Sequence, residues 1–218
     1  MYFAPFGVFA LIAKTISSVS GDISQISEIL SALVFYMGVV ILGLFVHMGI
    51  TYMTLLKMFT SIDIKHFLKS MAPVQLLGFS TSSSGATLPV TMKRCEKDLG
   101  ISEEISSFVL PLGATINMDG TALYQGVAAV FIAQAVGMDL TLANQFTIVA
   151  TAVLASIGTA AVPGAGIIML IIILEAINVP SEGIALILGV DRILDMIRTA
   201  TNVTGDATVA SVMDSLER

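Results

Sequence analysis

The stretch DRILDMIRTATNVTGD, residues 191–206, concentrates charged side chains in a chain of which only 12% is charged. If it is an α-helix, with 100° between successive residues, one face carries five polar side chains within an arc of about 80°: Asp191, Asp195, Arg198, Asn202 and Asp206. Arg192 falls beside this stripe. Carboxylates, an amide and a guanidinium on one face can bind cations and hydrogen-bond a charged ligand.

The charges of this region do not balance. Pairs at i,i+3 would join Arg192 to Asp195 and Asp195 to Arg198. Asp119, from the preceding apolar segment, is a further acid, so four carboxylates face two arginines. Each charge buried in a membrane costs about 3 kcal/mol. The excess acids therefore predict bound Na⁺ or H⁺, as a cation-coupled symporter would have.

A second cluster, NMDGT at residues 117–121, places Asn117, Asp119 and Thr121 next to Gly120 within an apolar helix. Interior glycines cost a helix about 1 kcal/mol each relative to alanine. Locally unwound backbone would justify that cost, because its free carbonyls can ligate a hard cation. We therefore predict an ion site at this motif.

The elements that carry these clusters are predicted to cross a membrane. The chain is 56% hydrophobic, and uncharged gaps separate Glu28 from Lys57, Lys69 from Lys93, and Asp139 from Glu175. Gaps of this length match bilayer spans of about 20 residues. The single cysteine, Cys95, excludes an internal disulfide. We predict an all-α, multi-pass membrane protein.

Two uncharged segments have breaks near their middle. Lysines flank residues 70–92 at both ends, which places both ends on the cytoplasmic side, and STSSSGATLP within the segment is poor helix and good turn. Acids alone flank the segment that contains SIGTAAVPGAG. Both patterns predict re-entrant hairpins that enter from opposite sides, the inverted repeat of secondary transporters.

The predicted elements follow from these features. They are a helix at 26–58, a re-entrant hairpin at 63–99, a helix with NMDGT at 103–137, a second re-entrant hairpin at 139–178, and a last helix at 182–217. The lone His47 in the first of these helices is interpreted as structural, as most histidines on apolar faces are.

The motifs SSSGATLP, LPLGATINMDGTALYQG, SIGTAAVPGAG and DRILDMIRTATNVTGD together resemble the dicarboxylate/amino acid:cation symporter family, in the family's order and over essentially the whole chain. The resemblance implies that residues 1–20 end a scaffold helix and that residues 21–218 form the transport (elevator) domain. It implies an acidic amino acid, aspartate or glutamate, as substrate, in a plasma or inner membrane. It implies Na⁺ or H⁺ for coupling, no organic cofactor, no nucleic acid, and a homotrimer once a scaffold is supplied.

The resemblance also implies residue roles. Asp195 would bind the substrate's amino group and Arg198 its side-chain carboxylate. The other substrate residues would be Ser83, Ser84, Thr121, Val162, Gly166, Thr199 and Asn202. Cations would be held at three sites: by Gly113, Asn117, Asn202 and Asp206; by Thr115, Ser156, Ile157 and Thr159; and by Asp119 with Asn117. Asp191 would be a supporting polar partner.

The sequence departs from the family in two ways. Ser82 and Met196 occupy positions where relatives carry a further arginine, whereas Arg192 is new. Family members are also much longer, so we expect most of the scaffold, and the third helix that completes one sodium site, to be missing here.

Three alternatives stay open. The chain could be a fragment that works only beside a complementary N-terminal chain. It could be a channel, since polar hairpins can form filters. It could be an intramembrane aspartyl protease that uses Asp119 and Asp206, although the arginines would keep such acids ionised.

Overall fold

The computed structural model describes residues 23–218, and within that range all regular structure is helical, without strands. This confirms the predicted all-α class. The α-helices are α1 (Ile23–His47), α2 (Met53–Phe59), α3 (Ile64–Thr81), α4 (Ser84–Asp98), α5 (Glu103–Ile116), α6 (Asp119–Ala135), α7 (Leu142–Ile157), α8 (Ala165–Ala176) and α9 (Leu188–Glu217). A π-helical turn (Met48–Tyr52) joins α1 to α2, and a 3₁₀ turn (Ser181–Leu186) precedes α9. The predicted scaffold segment, residues 1–20, lies outside the described residues.

One helical segment of the described chain, Ser27–Phe59, is long and apolar enough to cross a bilayer by length and composition. It has 33 residues, more than the roughly 20 that a span requires. Leu142–Ile157 and Ala165–Ala176 are apolar but shorter. The predicted multi-pass topology therefore stays a prediction.

The first helical hairpin, α3 and α4, is broken only at Ser82 and Ser83. Ser82 adopts a left-handed conformation with φ of 51°, and Ser83 Oγ accepts the Ala86 N–H at 3.1 Å. Ser83 therefore acts as the N-cap of α4. The prediction that STSSSGATLP is poor helix and good turn holds only at these two residues, because the cap restarts the helix at Ser84 and Pro89 lies inside it.

Two further breaks interrupt the helices near the site. The helix predicted at 103–137 divides at Asn117 and Met118, whose φ values are −103° and −102°, within the NMDGT motif at which unwound backbone was predicted. The second helical hairpin, α7 and α8, turns through residues 158–164, which we call the second tip. Gly164 ends this tip with φ of +76°, a conformation that favours glycine.

Helix α9 is central and packs against each of α1 to α6. It contributes Leu194 to a hydrophobic cluster with α1, α6, α7 and α8. It contributes Val203, Ala207 and Ala210 to a second cluster with α2, α3, α4 and α5. The polar residues between Leu194 and Val203 therefore lie where the two clusters meet.

Candidate functional site

The polar stripe of α9 faces the protein interior. Its residues Asp191, Asp195, Arg198, Asn202 and Asp206 are 8%, 5%, 2%, 4% and 3% exposed. Burial of this extent removes most of the water that would solvate the charges, so each charge needs a partner within the protein or a bound ligand.

Arg198 lies at the centre of the stripe. Its Nη2 donates to Asp195 Oδ1 at 2.6 Å, which confirms the predicted i,i+3 pair. Its Nη1 lies 3.9 Å from Asp191 Oδ1, and its guanidinium stacks 4.1 Å from the centre of the Tyr124 ring. Two acids and an aromatic face thus hold one guanidinium.

The predicted pair between Arg192 and Asp195 is wrong. Arg192 is exposed and has no ion pair with any residue that the structure describes. Arg192 has the same i,i+3 spacing to Asp195 as Arg198 has, but both carboxylate oxygens of Asp195 are already engaged, by Arg198 Nη2 and by the Gly164 N–H. Among residues 23–218, Arg198 is therefore the one buried arginine against these acids, and the charge imbalance is larger than the sequence suggested.

The turn of the first hairpin at Ser82 and Ser83, which we call the first tip, meets the second tip over this stripe. Ser83 Oγ and the Gly85 N–H both donate to the Ala161 carbonyl, at 2.7 and 3.3 Å. The Gly164 N–H donates to Asp195 Oδ2 at 2.9 Å. Gln125 Nε2, from α6, donates to the Gly166 carbonyl at 3.0 Å. The second tip is therefore bonded to the first hairpin and to α9, and the start of α8 is bonded to α6.

A small cavity of about 20 Å³ lies between the tips and α9. All the predicted substrate residues except Ser83 line it: Ser84, Thr121, Val162, Gly166, Asp195, Arg198, Thr199 and Asn202. Ser83 instead uses its side chain to bind Ala161. Sequence reasoning missed the wall residues Ser82, Met118, Thr159, Ala160 and Ala161 as contributors to this cavity.

Helix ends converge on the cavity. The N-termini of α4 and α8 begin at its wall, and the positive ends of their helix dipoles favour negative charge there. The C-termini of α3, α5 and α7 end beside it and leave carbonyls that favour cations. Broken helices of this kind can bind an anion and a cation side by side.

Two residues of one predicted cation site, Gly113 and Asn117, lie against Asp206. Asn117 Nδ2 donates to Asp206 Oδ1 at 3.1 Å, and Gly113 packs so closely that a Cβ there would lie 2.8 Å from the same oxygen. Asn202, predicted to share this site, accepts the Gly120 N–H at 2.9 Å and donates to Thr121 Oγ1 at 3.0 Å. Hydrogen bonds thus join the NMDGT motif to the polar stripe of α9, and α5 packs closely against it at Gly113.

The second predicted cation site spans the ends of α5 and α7, which contact each other. Ser156 and Thr159 are buried, whereas Thr115 and Ile157 are exposed. Thr115 Oγ1 donates to Leu112 within its own helix at 2.8 Å, and Thr159 Oγ1 donates to Ala155 at 2.8 Å. Among the described residues no hydrogen bond joins Thr115 to the second tip.

Asp119, the third predicted cation ligand, faces α1 and the π-helical turn. Its Oδ2 accepts the Tyr52 hydroxyl at 2.7 Å and lies 2.8 Å from His47 Nε2. Residues five apart point about 140° apart on an α-helix, but the i,i+5 turn of a π-helix brings them together. His47, interpreted as structural from the sequence, therefore contacts a predicted ion ligand.

Gly120 permits the close approach of α6 to α9, because it has no side chain. Replacing it gives a first testable prediction. A Cβ at Gly120 would lie 2.7 Å from Asn202 Oδ1 and 3.2 Å from the Arg198 carbonyl. We expect Gly120→Ala to lower the stability by about 1–3 kcal/mol through overpacking, measured by thermal unfolding in detergent.

Gly126→Ala is the matched control on the same helix, because a Cβ at Gly126 would have no other atom within 4 Å. We expect it to stabilise by up to about 1 kcal/mol through helix propensity. Equal effects of the two substitutions would contradict the close packing of Gly120.

Comparison with known proteins identifies a family that matches this chain. The profile of the Sodium:dicarboxylate symporter family matches residues 1–216. The chain is 43% identical to the "Proton/sodium-glutamate symport protein" of Bacillus subtilis (strain 168), with 100% of this chain and 49% of that protein covered. It is 41% identical to "Excitatory amino acid transporter 1" of Rattus norvegicus, with 100% and 39% covered.

A third relative is an "Excitatory amino acid transporter" of Caenorhabditis elegans, 40% identical over 98% of this chain and 42% of its own length. The chain thus spans less than half the length of these relatives. The family match nevertheless covers nearly every residue of the chain and all four motifs, and the protein belongs to the sodium:dicarboxylate symporter family.

Proposed function

We propose that this chain is the substrate-carrying part of a secondary active symporter that moves aspartate or glutamate together with Na⁺, or H⁺, by alternating access. The observation that carries the proposal is the buried Asp195–Arg198 pair beneath the two tips, with the Asn117–Asp206 contact beside it. An acidic amino acid offers one ammonium and an extra carboxylate, which are complementary to Asp195 and Arg198.

The substrate roles follow from charge and position. Arg198 binds the side-chain carboxylate as a planar fork, and Asp195 binds the amino group. The N-termini of α4 and α8, at Ser84 and in the segment Val162–Gly166, favour the remaining carboxylate. Thr121, Thr199 and Asn202 supply polar side chains on the opposite wall.

Cations are co-substrates in this proposal. Asp206 is buried and bonded to the neutral Asn117, so a cation beside Gly113 and Asn202 would balance its charge. Carbonyls at Thr115, Ser156, Ile157 and Thr159 would hold another cation, and Asp119 with Asn117 a third. These oxygen ligands suit a hard ion such as Na⁺.

We also propose that the two helical hairpins are re-entrant and related as an inverted repeat within a multi-pass domain, residues 21–218. The support is threefold: lysines flank the first hairpin, acids flank the second, and both hairpins turn at the same cavity. Backbone broken in this way is tolerated in a membrane where it lines a protein-enclosed cavity.

The positions of Asp119 and Asp206 do not support the alternative of an aspartyl protease. Asp206 bonds to Asn117, whereas Asp119 bonds to Tyr52 and lies against His47. Two catalytic acids would instead share a proton or a water between them. The relatives that match this chain are named as transporters.

Sodium-dependent aspartate binding tests the proposal. We expect L-aspartate to raise the unfolding temperature of the purified chain in NaCl, by about 5 °C at one hundred times Kd, and to have no effect in choline chloride at the same pH. The measurement is thermal unfolding in detergent, with the oligomeric mass determined in parallel. Equal stabilisation in both salts would refute Na⁺ coupling, and the same titration at lower pH tests H⁺.

A further inference from the structure

The outer face of α3 carries two kinds of exposed side chain in a fixed order. Six exposed residues lie within an arc of about 100° on this helix, and we call them the outer stripe: Lys65, Leu68, Lys69, Ala72, Leu76 and Phe79. Lys65 and Lys69 lie one turn apart, near the start of the helix. Leu76 and Phe79 continue the stripe towards the first tip and are 67% and 39% exposed. Cationic side chains therefore occupy one end of the stripe, and apolar side chains occupy the rest.

The two lysines of the outer stripe are not neutralised within the protein. Neither side chain makes an ion pair or a hydrogen bond with the residues that the structure describes. Asp63, the nearest acid along the chain, is the N-cap of α3 and accepts the His66 N–H at 3.0 Å. Lys57, at the end of α2, is also exposed, so three lysines accompany one acid where α2 meets α3. This corner keeps a net positive charge that an anionic ligand balances.

The length of the outer stripe matches one leaflet of a bilayer. From Lys69 to Phe79, α3 rises about 15 Å at 1.5 Å per residue. The hydrocarbon core of a bilayer is about 30 Å thick, so this distance is about half of it. Lysine side chains near the ends of membrane helices extend to the level of the headgroups. With the lysines at that level, the apolar part of the stripe runs alongside the acyl chains of one leaflet.

We propose that the outer stripe binds an anionic phospholipid of the cytoplasmic leaflet. The phosphate lies between Lys65 and Lys69, and an acyl chain lies along Ala72, Leu76 and Phe79. Lysines beside a membrane attract anionic lipids, and lysine-flanked segments face the cytoplasm. The inference goes beyond the proposed function, because it depends on the membrane location of the family and not on what the pocket carries. The bound lipid holds the start of the first hairpin at the level of the headgroups.

Other exposed faces of the protein carry these two features separately. Helices α7 and α8 also expose large apolar side chains, but the exposed acids Asp139 and Glu175 lie near their ends away from the second tip. These acids repel an anionic headgroup. Helix α4 exposes Lys93 and Lys97, which are also one turn apart, but none of its large apolar side chains is exposed. The outer stripe of α3 combines the lysine pair with the apolar face.

Retention of lipid by the purified chain tests this inference. The parent chain in detergent is mixed with equal amounts of phosphatidylglycerol and phosphatidylcholine that carry the same acyl chains, and native mass spectrometry counts the lipids retained. We expect phosphatidylglycerol to be retained in preference. Replacing both lysines, Lys65→Gln with Lys69→Gln, should weaken its binding about 30-fold, since each lysine near an anionic headgroup contributes about a factor of five. Equal retention of the two lipids by the parent, or undiminished phosphatidylglycerol binding by the double variant, would overturn the inference.

Lys93→Gln with Lys97→Gln is the matched control. It removes the same two charges at the same spacing from the other helix of the hairpin, which lacks the exposed apolar face. We expect its affinity for phosphatidylglycerol to equal that of the parent chain. An equal loss in this control would show that the lipid responds to overall charge and not to the outer stripe.

Leu76→Asn tests the contact with the acyl chain. Leu76 is largely exposed, so the substitution removes little packing within the protein and the variant should fold. We expect it to weaken phosphatidylglycerol binding about fivefold. Glycerol phosphate, which has the phosphate without acyl chains, should not displace the lipid at the same concentration. Displacement by glycerol phosphate, or a dimer of the chain that Leu76→Asn abolishes, would refute a lipid as the occupant of the stripe.

Discussion

Replacing Arg198 with cysteine is expected to abolish the binding of L-aspartate and L-glutamate. Arg198 is 2% exposed, and it is the one arginine that lines the cavity between the tips. Removing one partner of a buried charge pair costs about 2–5 kcal/mol, or roughly 30- to 5,000-fold in Kd. The measurement is isothermal titration of aspartate in NaCl, with a neutral amino acid such as L-serine titrated in parallel.

Arg192→Cys is the matched control for this substitution. Arg192 belongs to the same helix and has the same charge, but it is exposed and makes no ion pair with the described residues. We expect its aspartate affinity to equal that of the parent chain. If Arg198→Cys kept the parent's affinity while remaining folded, or if Arg192→Cys lost it, the assignment of the carboxylate-binding residue would be wrong.

Replacing Asp206 with asparagine is expected to remove most of the stabilisation by Na⁺. Asp206 is 3% exposed and bonds only to Asn117 Nδ2, so in choline chloride its charge lacks a cation among the residues described. Asparagine has no such charge, and the variant should be more stable than the parent chain in choline. Its Na⁺ affinity should fall by about 2 kcal/mol or more, roughly 30-fold. Thermal unfolding across a NaCl titration at constant ionic strength measures both effects.

Asp214→Asn separates the loss of a cation ligand from the loss of any buried acid. Asp214 also lies on α9 and is buried, but Arg218 Nη2 lies 2.8 Å from its Oδ2 and the Ser102 N–H donates to its Oδ1 at 2.8 Å. Its charge is already balanced, so we expect Asp214→Asn to lower stability equally in NaCl and choline chloride. A loss of the Na⁺ response in Asp214→Asn as well would argue against a specific cation at Asp206.

Local patterns were reliable where adjacent residues decide the structure. The 100° helical period predicted which residues of α9 share a face, and the pair between Asp195 and Arg198 formed as expected. The pair with Arg192 has the same i,i+3 spacing and did not form, because Asp195 is already engaged by Arg198 and by the Gly164 N–H. The serine-rich turn was predicted too long, because a single cap at Ser83 outweighs the weak helix propensity of the residues that follow.

The sequence by itself determined where the excess of acids lies and which helix face carries it, because charge composition and helical period are local properties. Only the tertiary structure decided which residues these acids contact. Asp195 meets Gly164, and Asp119 meets His47 and Tyr52, through a π-helical turn and a second tip that no periodicity predicts. These contacts join residues 31, 72 and 67 positions apart, and such pairings depend on how whole helices pack.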